Sequence, residues 1–217
     1  MKENVSAVLR ELTARYPSLR ECEKSVADVF ALLAHSFRQG GKLLLCGNGG
    51  SAADCEHIVG ELMKSFKFRR PLEEGKAQAF QRFGKEGMCL FEGLEEALPA
   101  ISLASSVAIS TAFANDRCFE YAFAQQVFGL GKEGDVLFAV STTGNSKNCV
   151  YAAMAAKAKG MAVIGLTGMR DSRLASLADA VIRVPETETF KVQELHLPVY
   201  HCLCAMLEEE FFHPAQV

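Results

Sequence analysis

The sequence lacks any long hydrophobic run. No stretch of about 18 or more consecutive apolar residues, the length that a membrane-spanning helix needs, occurs in the 217 residues. Residues 1–4 lead into a charged amphipathic stretch and not into the apolar segment of a secretory signal. We therefore expect a cytoplasmic protein with no membrane partner.

The sequence also lacks an excess of basic charge. The formal net charge is −3 and the isoelectric point is near 6.0. Lysine and arginine are scattered and form no stripe along one helix, so the chain offers no field that would hold a polyphosphate backbone. Nucleic acid is not expected as a direct partner.

Paired cysteine motifs are absent as well. None of the eight cysteines forms a CxxC pair, and most of them lie in apolar contexts. This pattern predicts reduced thiols that fill the core, in keeping with the cytosol.

Hydrophobic residues make up 49% of the chain, which is enough for one sizeable α/β core, and no linker divides it. We predict a single domain over residues 1–217, with an N-terminal helical region at 1–40. Short apolar runs without strict alternation indicate strands covered on both faces, at 42–46, 99–103, 135–140, 162–166 and 180–184. Helical patterns lie between or after them, at 25–37, 52–65, 119–128, 147–159, 172–177 and 190–212. Right-handed crossovers then give a three-layer α/β sandwich with a five-stranded parallel sheet.

Two strand-to-helix junctions have matching composition. Residues 43–51 read LLLCGNGGS and residues 138–146 read FAVSTTGNS. Each passes from an apolar strand through small polar residues into a helix, so free N–H groups and a positive helix end converge there. The pattern predicts a site for an anion, and we expect a phosphorylated ligand.

The first junction taken alone also fits an ordinary tight turn. Its paired glycines, Gly49 and Gly50, permit a sharp bend, Asn48 offers an amide, and Ser51 could cap a helix that begins at Ala52. The second junction favours a ligand site, because it carries more hydroxyls than one cap uses: Ser141, Thr142, Thr143 and Ser146. Neither junction has the Walker pattern or the GxGxxG pattern, which argues against a nucleotide.

The helix after the first junction carries His57 and Glu61, one turn apart on the same face. Such a pair suits joint metal ligation or acid–base chemistry. It also fits a surface pair that contributes little to stability, and the spacing does not decide between these interpretations.

Between Val192 and Leu203 the last helix carries four polar residues among mainly apolar ones: Gln193, Glu194, His196 and His201. Polar groups on a largely buried helix need a partner. Gln193 lies about 80° around the helix from His201, whereas Glu194 is nearly in line with it. Helical geometry alone therefore favours Glu194 as the companion of His201.

These motifs together resemble the sugar isomerase (SIS) domain proteins and, within them, the phosphoheptose isomerases. The resemblance extends over most of the chain and includes GNGGS, the pair His57 and Glu61, Ala114-Asn115-Asp116, STTGNS, and VQELH followed by His201. It implies a homotetramer of flavodoxin-like subunits with active sites at subunit interfaces. The implied reaction converts D-sedoheptulose 7-phosphate to D-glycero-D-manno-heptose 7-phosphate, the entry to bacterial heptose synthesis for lipopolysaccharide.

The resemblance also implies roles for individual residues. Ser141, Thr142, Thr143 and Ser146 match the phosphate cradle of the family. The residues that match sugar contacts are Asn48, Gly49, Gly50, Ser51, Glu61, Asn115, Asp116 and Gln193. His57, Glu61, Gln193 and His201 match zinc ligands, with Glu61 and His201 also the acid–base pair. A catalytic pair that works without metal is the alternative.

Two features depart from the family pattern. Residues 72–97 resemble an insertion where relatives have a short connection, and their periodic apolar residues favour a surface helix or lid. Pro198 lies inside the last helix, where its ring presses on the carbonyl of Glu194 and should kink the helix between Gln193 and His201.

Two other functions fit the same family. A noncatalytic tetramer that engages a replication initiator is the main alternative, although it would not need an ionisable residue at His201. An arabinose 5-phosphate isomerase is the other, and it commonly carries a C-terminal regulatory domain for which this chain offers no counterpart.

Overall fold

A computed structural model describes residues 1–213 as a three-layer α/β sandwich. All five strands are parallel and their order in the sheet is β2-β1-β3-β4-β5. The strands are β1 (Leu43–Cys46), β2 (Ala100–Ser102), β3 (Val136–Val140), β4 (Ala162–Gly168) and β5 (Ala180–Val184). This order is the flavodoxin-like one, so the predicted fold class is confirmed.

Ten α-helices are described. They are α1 (Glu3–Arg15), α2 (Glu23–Arg38), α3 (Gly50–Met63), α4 (Ala77–Gln81), α5 (Gly84–Gly93), α6 (Val107–Asp116), α7 (Ala122–Leu130), α8 (Lys147–Ala158), α9 (Arg173–Leu177) and α10 (Thr189–Phe212). Short 3-10 turns occur at Pro17–Cys22, Glu74–Lys76, Leu103–Ser105 and Phe119–Tyr121. No helix in the described part of the chain has the length and apolar character to cross a bilayer.

The two faces of the sheet are covered by different helices. Leu43 and Leu45 of β1 point toward the layer that contains α1, α2, α3 and α10. Leu44 and Cys46 point the other way, toward α7 and α8. Because the strands are buried on both faces, their sequences are continuous apolar runs, which is why the strand positions could be predicted.

The chain leaves β1 for β2 on one side and later returns to β3 on the other side of β1. Loops that follow two adjacent strands then diverge, and this opens a crevice at their carboxyl ends. The loops after β1 and β3 are the two junctions identified in the sequence. The topology therefore places both of them at the usual ligand position of an open parallel sheet.

Three local features differ from the sequence interpretation or extend it. Helix α3 begins at Gly50, after Gly49 with φ of 55°, so Ser51 lies in the first turn and the predicted Ser51 cap is wrong. Helix α6 was not predicted, because its apolar residues have no helical period and none of them is buried. The segment 72–97 forms α4, α5 and a 3-10 turn, while its status as an insertion stays a prediction.

Helix α10 continues through Pro198 from Thr189 to Phe212, and the kink at Pro198 stays a prediction. All eight cysteines are free thiols. Six of them are buried, as expected for core residues, whereas Cys89 is exposed and Cys118 is half-buried.

Candidate functional site

The loop between β3 and α8 forms a cradle of hydroxyls in front of a helix end. Ser141 is buried and its Oγ atom lies 3.1 Å from Ser146 Oγ. Ser146 occupies the N-cap position of α8, yet its hydroxyl makes no cap bond to the helix. Cys149 N donates to Asn148 Oδ1 at 3.0 Å, so the hydroxyls and the N–H groups of Lys147 and Asn148 are the donors available to an anion.

Neighbouring elements hold this cradle in shape. Gly168 N donates to Thr142 O, Leu174 N donates to Gly144 O, and each bond is 3.0 Å long. Gly144 has a φ of 64°, which an L-residue adopts only with strain. Thr143 is exposed and its Oγ1 atom accepts from Asn145 N at 3.2 Å, so one of the four predicted hydroxyls also supports the turn.

The two junctions are joined by a pair of amides. Asn48 Nδ2 donates to Asn148 Oδ1 at 2.9 Å, and Asn148 Nδ2 donates to Asn48 Oδ1 at 2.7 Å. The sequence interpretation missed Asn148, which lies at the start of α8 two residues after Ser146. The reciprocal bond fixes Asn48 beside the cradle.

Gln193 of α10 lies against the first turn of α3. A Cβ atom on Gly50 would meet Gln193 Nε2 at 2.2 Å, and Gln193 Nε2 donates to Asp54 Oδ2 at 3.2 Å. Glu194 points outward and is exposed. The helical-wheel argument for Glu194 is therefore wrong, because the amide of Gln193 is the side chain that faces the first junction.

His57 and Glu61 are paired on α3. His57 Nε2 lies 3.2 Å from Glu61 Oε1, and Lys64 Nζ lies 3.1 Å from Glu61 Oε2. The Glu61 side chain is 13% exposed and that of His57 is 43% exposed. The pair thus lies at the edge of the buried region, where a ligand can reach it.

Two residues that the sequence interpretation missed connect Gln193 with His57. They are Asp54 and Tyr200. The hydroxyl oxygen of Tyr200 is 3.3 Å from Asp54 Oδ1 and 3.0 Å from His57 Nδ1. Burial raises the pKa of Asp54, although the bonds from Gln193 and Tyr200 favour its ionised form. Burial and the neighbouring Asp54 also raise the pKa of Tyr200, so its hydroxyl keeps its proton.

His201 completes this cluster from α10. The centroid of its ring lies 4.9 Å from that of His57 and 5.0 Å from that of Tyr200. Its Nε2 atom is buried and has no hydrogen-bond partner among the described residues. Burial lowers the pKa of His201, and His57 adds to this, while Glu61 acts in the opposite direction.

The predicted metal ligands are thus near one another but are not gathered into a closed set. In residues 1–213, no three His, Cys, Asp or Glu side chains are arranged to enclose a metal ion. His57 and Glu61 pair directly, His201 contacts His57, and Gln193 is connected to them through Asp54 and Tyr200. Four positions linked by these contacts therefore carry the polar groups that the sequence interpretation assigned to zinc.

The remaining predicted sugar contacts lie elsewhere. Asn115 and Asp116 are exposed at the end of α6, and Asn115 Nδ2 donates to Asp116 Oδ1 at 2.9 Å. The hydrogen bonds described for residues 1–213 do not connect either one to the two junctions.

Comparisons with known proteins agree with this arrangement. A family model described as "SIS domain" matches residues 8–82 and 77–168. The phosphoheptose isomerase of Rhodospirillum rubrum is 36% identical over 96% of this chain and 98% of its own length. That of Burkholderia pseudomallei is 39% identical over 94% of this chain and 97% of its own length.

Two solved structures have the same architecture. Phosphoheptose isomerase GmhA from Neisseria gonorrhoeae superposes with a TM-score of 0.71 at 31% identity, covering 95% of this chain and 98% of that one. A phosphoheptose isomerase from Francisella tularensis gives a TM-score of 0.74 at 29% identity, covering 91% and 92%.

Proposed function

The chain belongs to the phosphoheptose isomerases of the SIS-domain family, and on that premise we propose that it interconverts D-sedoheptulose 7-phosphate and D-glycero-D-manno-heptose 7-phosphate. One structural observation carries the proposal. The phosphate cradle is connected through Asn48, Gly50 and Gln193 to the cluster around Glu61. An anion site is therefore linked to a proton-transfer site through neighbouring side chains.

The phosphate group is assigned to the cradle after β3. The hydroxyls of Ser141, Thr142, Thr143 and Ser146 and the N-terminus of α8 supply neutral donors and a positive helix end. Asn48 and Gln193, held by Asn148 and Gly50, are placed to bind sugar hydroxyls. The backbone can come close to the sugar, as such contacts require, because the residues at this turn are small: Gly49, Gly50 and Ser51.

The reaction moves one carbon-bound hydrogen and leaves the oxidation level of the whole molecule unchanged. A base removes a proton from C1 of the ketose, and this gives a 1,2-enediol. A proton is then delivered to C2 while the proton on O1 is lost and the oxygen at C2 gains one. We assign the carbon proton to Glu61 and the oxygen protons to His201, because a carboxylate and an imidazole serve these tasks near neutral pH.

The donor set also fits zinc. The unpartnered, buried Nε2 atom of His201 and the Nε2 atom of His57 beside the Glu61 carboxylate are nitrogen and oxygen donors of the kind that zinc prefers. We propose that His57, Glu61, Gln193 and His201 hold one zinc ion per subunit. When bound, the ion would polarise the sugar carbonyl and so lower the cost of the developing enediolate.

We further propose a homotetramer with sites at the subunit interfaces. Helix α6 buries none of its residues in the described chain, and large apolar side chains are exposed in α6, in the following 3-10 turn and in α7: Val107 is 68% exposed, Phe119 54% and Phe128 63%. A cluster of this kind favours a protein interface. Contact with a second subunit would bring Asn115 and Asp116 to a sugar. Light scattering tests the proposal, since a monomer would contradict it.

We place the reaction in the cytoplasm, where cysteines stay reduced, in keeping with the eight free thiols. We also propose that the reaction is a step in the synthesis of heptose for lipopolysaccharide. The noncatalytic regulator is not favoured, because the relatives reported above are named as isomerases at 36–39% identity.

The direct test is to incubate the pure protein with D-sedoheptulose 7-phosphate in heavy water. Formation of the aldose with deuterium at C2 is expected, because the enediol exchanges its proton with solvent. Absence of the aldose, at any zinc concentration, would overturn the proposed function.

A further inference from the structure

Two buried side chains, Asp54 and Tyr200, form a hydrogen-bonded series with the exposed His57. Asp54 is 8% exposed and Tyr200 is 2% exposed, and they come from α3 and α10 respectively. The hydroxyl of Tyr200 lies between Asp54 Oδ1, at 3.3 Å, and His57 Nδ1, at 3.0 Å. His57 then faces Glu61 with its other ring nitrogen, at 3.2 Å.

We infer that Tyr200 and Asp54 are positioning residues, which keep a proton on His57 Nδ1 and turn His57 Nε2 toward Glu61. The inference rests on the proposed function, because a fixed imidazole matters there only if Glu61 and His57 take part in isomerisation or zinc binding. Neither residue touches the reacting carbon atoms in this assignment.

The direction of the hydrogen bonds follows from the number of protons. A neutral phenol has one proton to donate, and Tyr200 has two neighbours. The Oδ2 atom of Asp54 accepts from Gln193, a bond that favours the ionised carboxylate, and an ionised carboxylate has no proton to donate from Oδ1. Tyr200 therefore donates to Asp54, and its oxygen accepts the proton that His57 carries on Nδ1.

The opposite direction is disfavoured by burial. If Tyr200 donated to His57, its oxygen and the Asp54 carboxylate would face each other without a proton in a region closed to water. Leaving a buried carboxylate oxygen unpaired is costly. The geometry thus selects one tautomer of His57.

The selected tautomer leaves the other ring nitrogen of His57, Nε2, free to accept a proton or bind a cation. With its proton on Nδ1, His57 presents Nε2 toward Glu61 Oε1, and the two acceptors can be bridged by a proton or by a cation. Histidines that bind metal commonly donate their second N–H to a carboxylate or another acceptor, which fixes the ring. Here the acceptor is the hydroxyl of Tyr200, which in turn donates its own proton to the Asp54 carboxylate.

The test compares the wild type with Tyr200→Phe, which keeps the ring and removes only the hydroxyl. Nitrogen NMR on histidine-labelled protein, with His57→Gln to assign the signal, reports which ring nitrogen carries the proton. We expect a proton on Nδ1 in the wild type and a mixture of tautomers in Tyr200→Phe. Zinc affinity, measured by competition with a chelator, should fall about 10- to 100-fold.

Two further variants separate this role from folding. Tyr121→Phe removes the hydroxyl of a tyrosine that is 49% exposed, and it should leave both readouts unchanged. If Tyr200→Phe unfolds because Asp54 loses its partner, Asp54→Asn combined with Tyr200→Phe removes the unpaired charge and should still show the mixture of tautomers.

A bare Nδ1 in wild-type His57, or an unchanged tautomer and unchanged zinc affinity in Tyr200→Phe, would overturn the inference. The NMR result does not depend on turnover. A protein that fails to convert sedoheptulose 7-phosphate would therefore refute the proposed function while the tautomer still decides the role of Tyr200. If the wild type takes up no zinc, the tautomer measurement decides alone.

Discussion

Gln193 lies directly over the backbone of Gly50, so closely that a Cβ atom there would come within 2.2 Å of Gln193 Nε2 and 2.3 Å of Gln193 Oε1. This contact brings α10 against the first turn of α3. Gly50 is therefore needed for the close approach of a side chain, whereas Gly49 is needed for its φ of 55°.

The contact predicts the effect of Gly50→Ala. The new methyl group should displace only the end of the Gln193 side chain, so the free energy of unfolding should change by less than about 1 kcal/mol. Displacement of the amide should nevertheless lower kcat/KM about 10- to 100-fold, because sugar contacts would be misplaced. Steady-state kinetics and thermal unfolding measure the two effects.

Gly60→Ala is the matched control in the same helix. A Cβ atom at Gly60 meets nothing within 4 Å, so this variant should keep its activity and gain about 0.5–1 kcal/mol of stability. Equal losses of activity in the two variants would contradict the role given to Gly50.

The fold was predictable because local signals and burial agree. Predicted strand 135–140 and observed β3 differ by one residue, since a strand covered on both faces must be continuously apolar. Helix α6 escaped prediction for the opposite reason. None of its residues is buried in the described chain, so no amphipathic period marks it.

The site was predictable only in part. The hydroxyls of 141–146 and the pair His57 and Glu61 are visible because they lie close in sequence. Asp54 and Tyr200 were missed, since their relationship crosses 146 residues and exists only when α3 packs on α10. Helical geometry alone favoured Glu194, although the family resemblance implied Gln193. The geometric argument was wrong because it related each residue to His201 and not to Gly50.

The acid–base assignment predicts that Glu61→Gln and His201→Ala each lower kcat by about 10²- to 10⁴-fold in a folded protein. Each variant removes one proton-transfer group, and neither removes a large apolar side chain. Glu194→Gln is the control, because Glu194 is exposed beside Gln193 and should tolerate the change. Rates like those of the wild type in both catalytic variants would refute the assignment.

The phosphate cradle predicts that Ser141→Ala combined with Ser146→Ala weakens phosphosugar binding. Hydrogen bonds to a charged group are worth roughly 1.5–3 kcal/mol each, so calorimetry should show a loss of about two orders of magnitude or more in affinity. Ser176→Ala, at an exposed serine in α9, should bind as the wild type does. Unchanged affinity in the double variant would place the phosphate elsewhere.

Asp135 predicts how stability depends on pH. It is buried at the start of β3, where it pairs with Lys42 and accepts from the N–H groups of Lys42 and Lys132 at 2.9 Å. Burial raises the pKa of Asp135, but these donors outweigh burial and leave the pKa lowered. A lowered pKa contributes stability above the unfolded value of about 3.9, and that stability is lost as pH falls through the folded pKa.

Asp135→Asn should therefore cost about 3 kcal/mol near pH 7 and progressively less at acid pH. Urea unfolding of the variant and of the wild type between pH 2 and pH 7 measures the difference in their free energies of unfolding. Asp28→Asn removes an exposed pair with Lys24 and should change stability by less than about 0.5 kcal/mol. A difference between Asp135→Asn and the wild type that stays constant down to pH 2 would contradict the linkage.

The last prediction concerns zinc. If His57, Glu61, Gln193 and His201 hold the ion, elemental analysis after dialysis should find one zinc per subunit. A free zinc concentration about 100 times Kd should stabilise the fold by about 2.7 kcal/mol, and a chelator should reverse the gain. His57→Ala should abolish the effect, whereas His35→Ala, at an exposed histidine in α2, should preserve it. Protein that never carries zinc and still converts sedoheptulose 7-phosphate would remove the metal from the mechanism and leave Glu61 and His201 to perform the proton transfers alone.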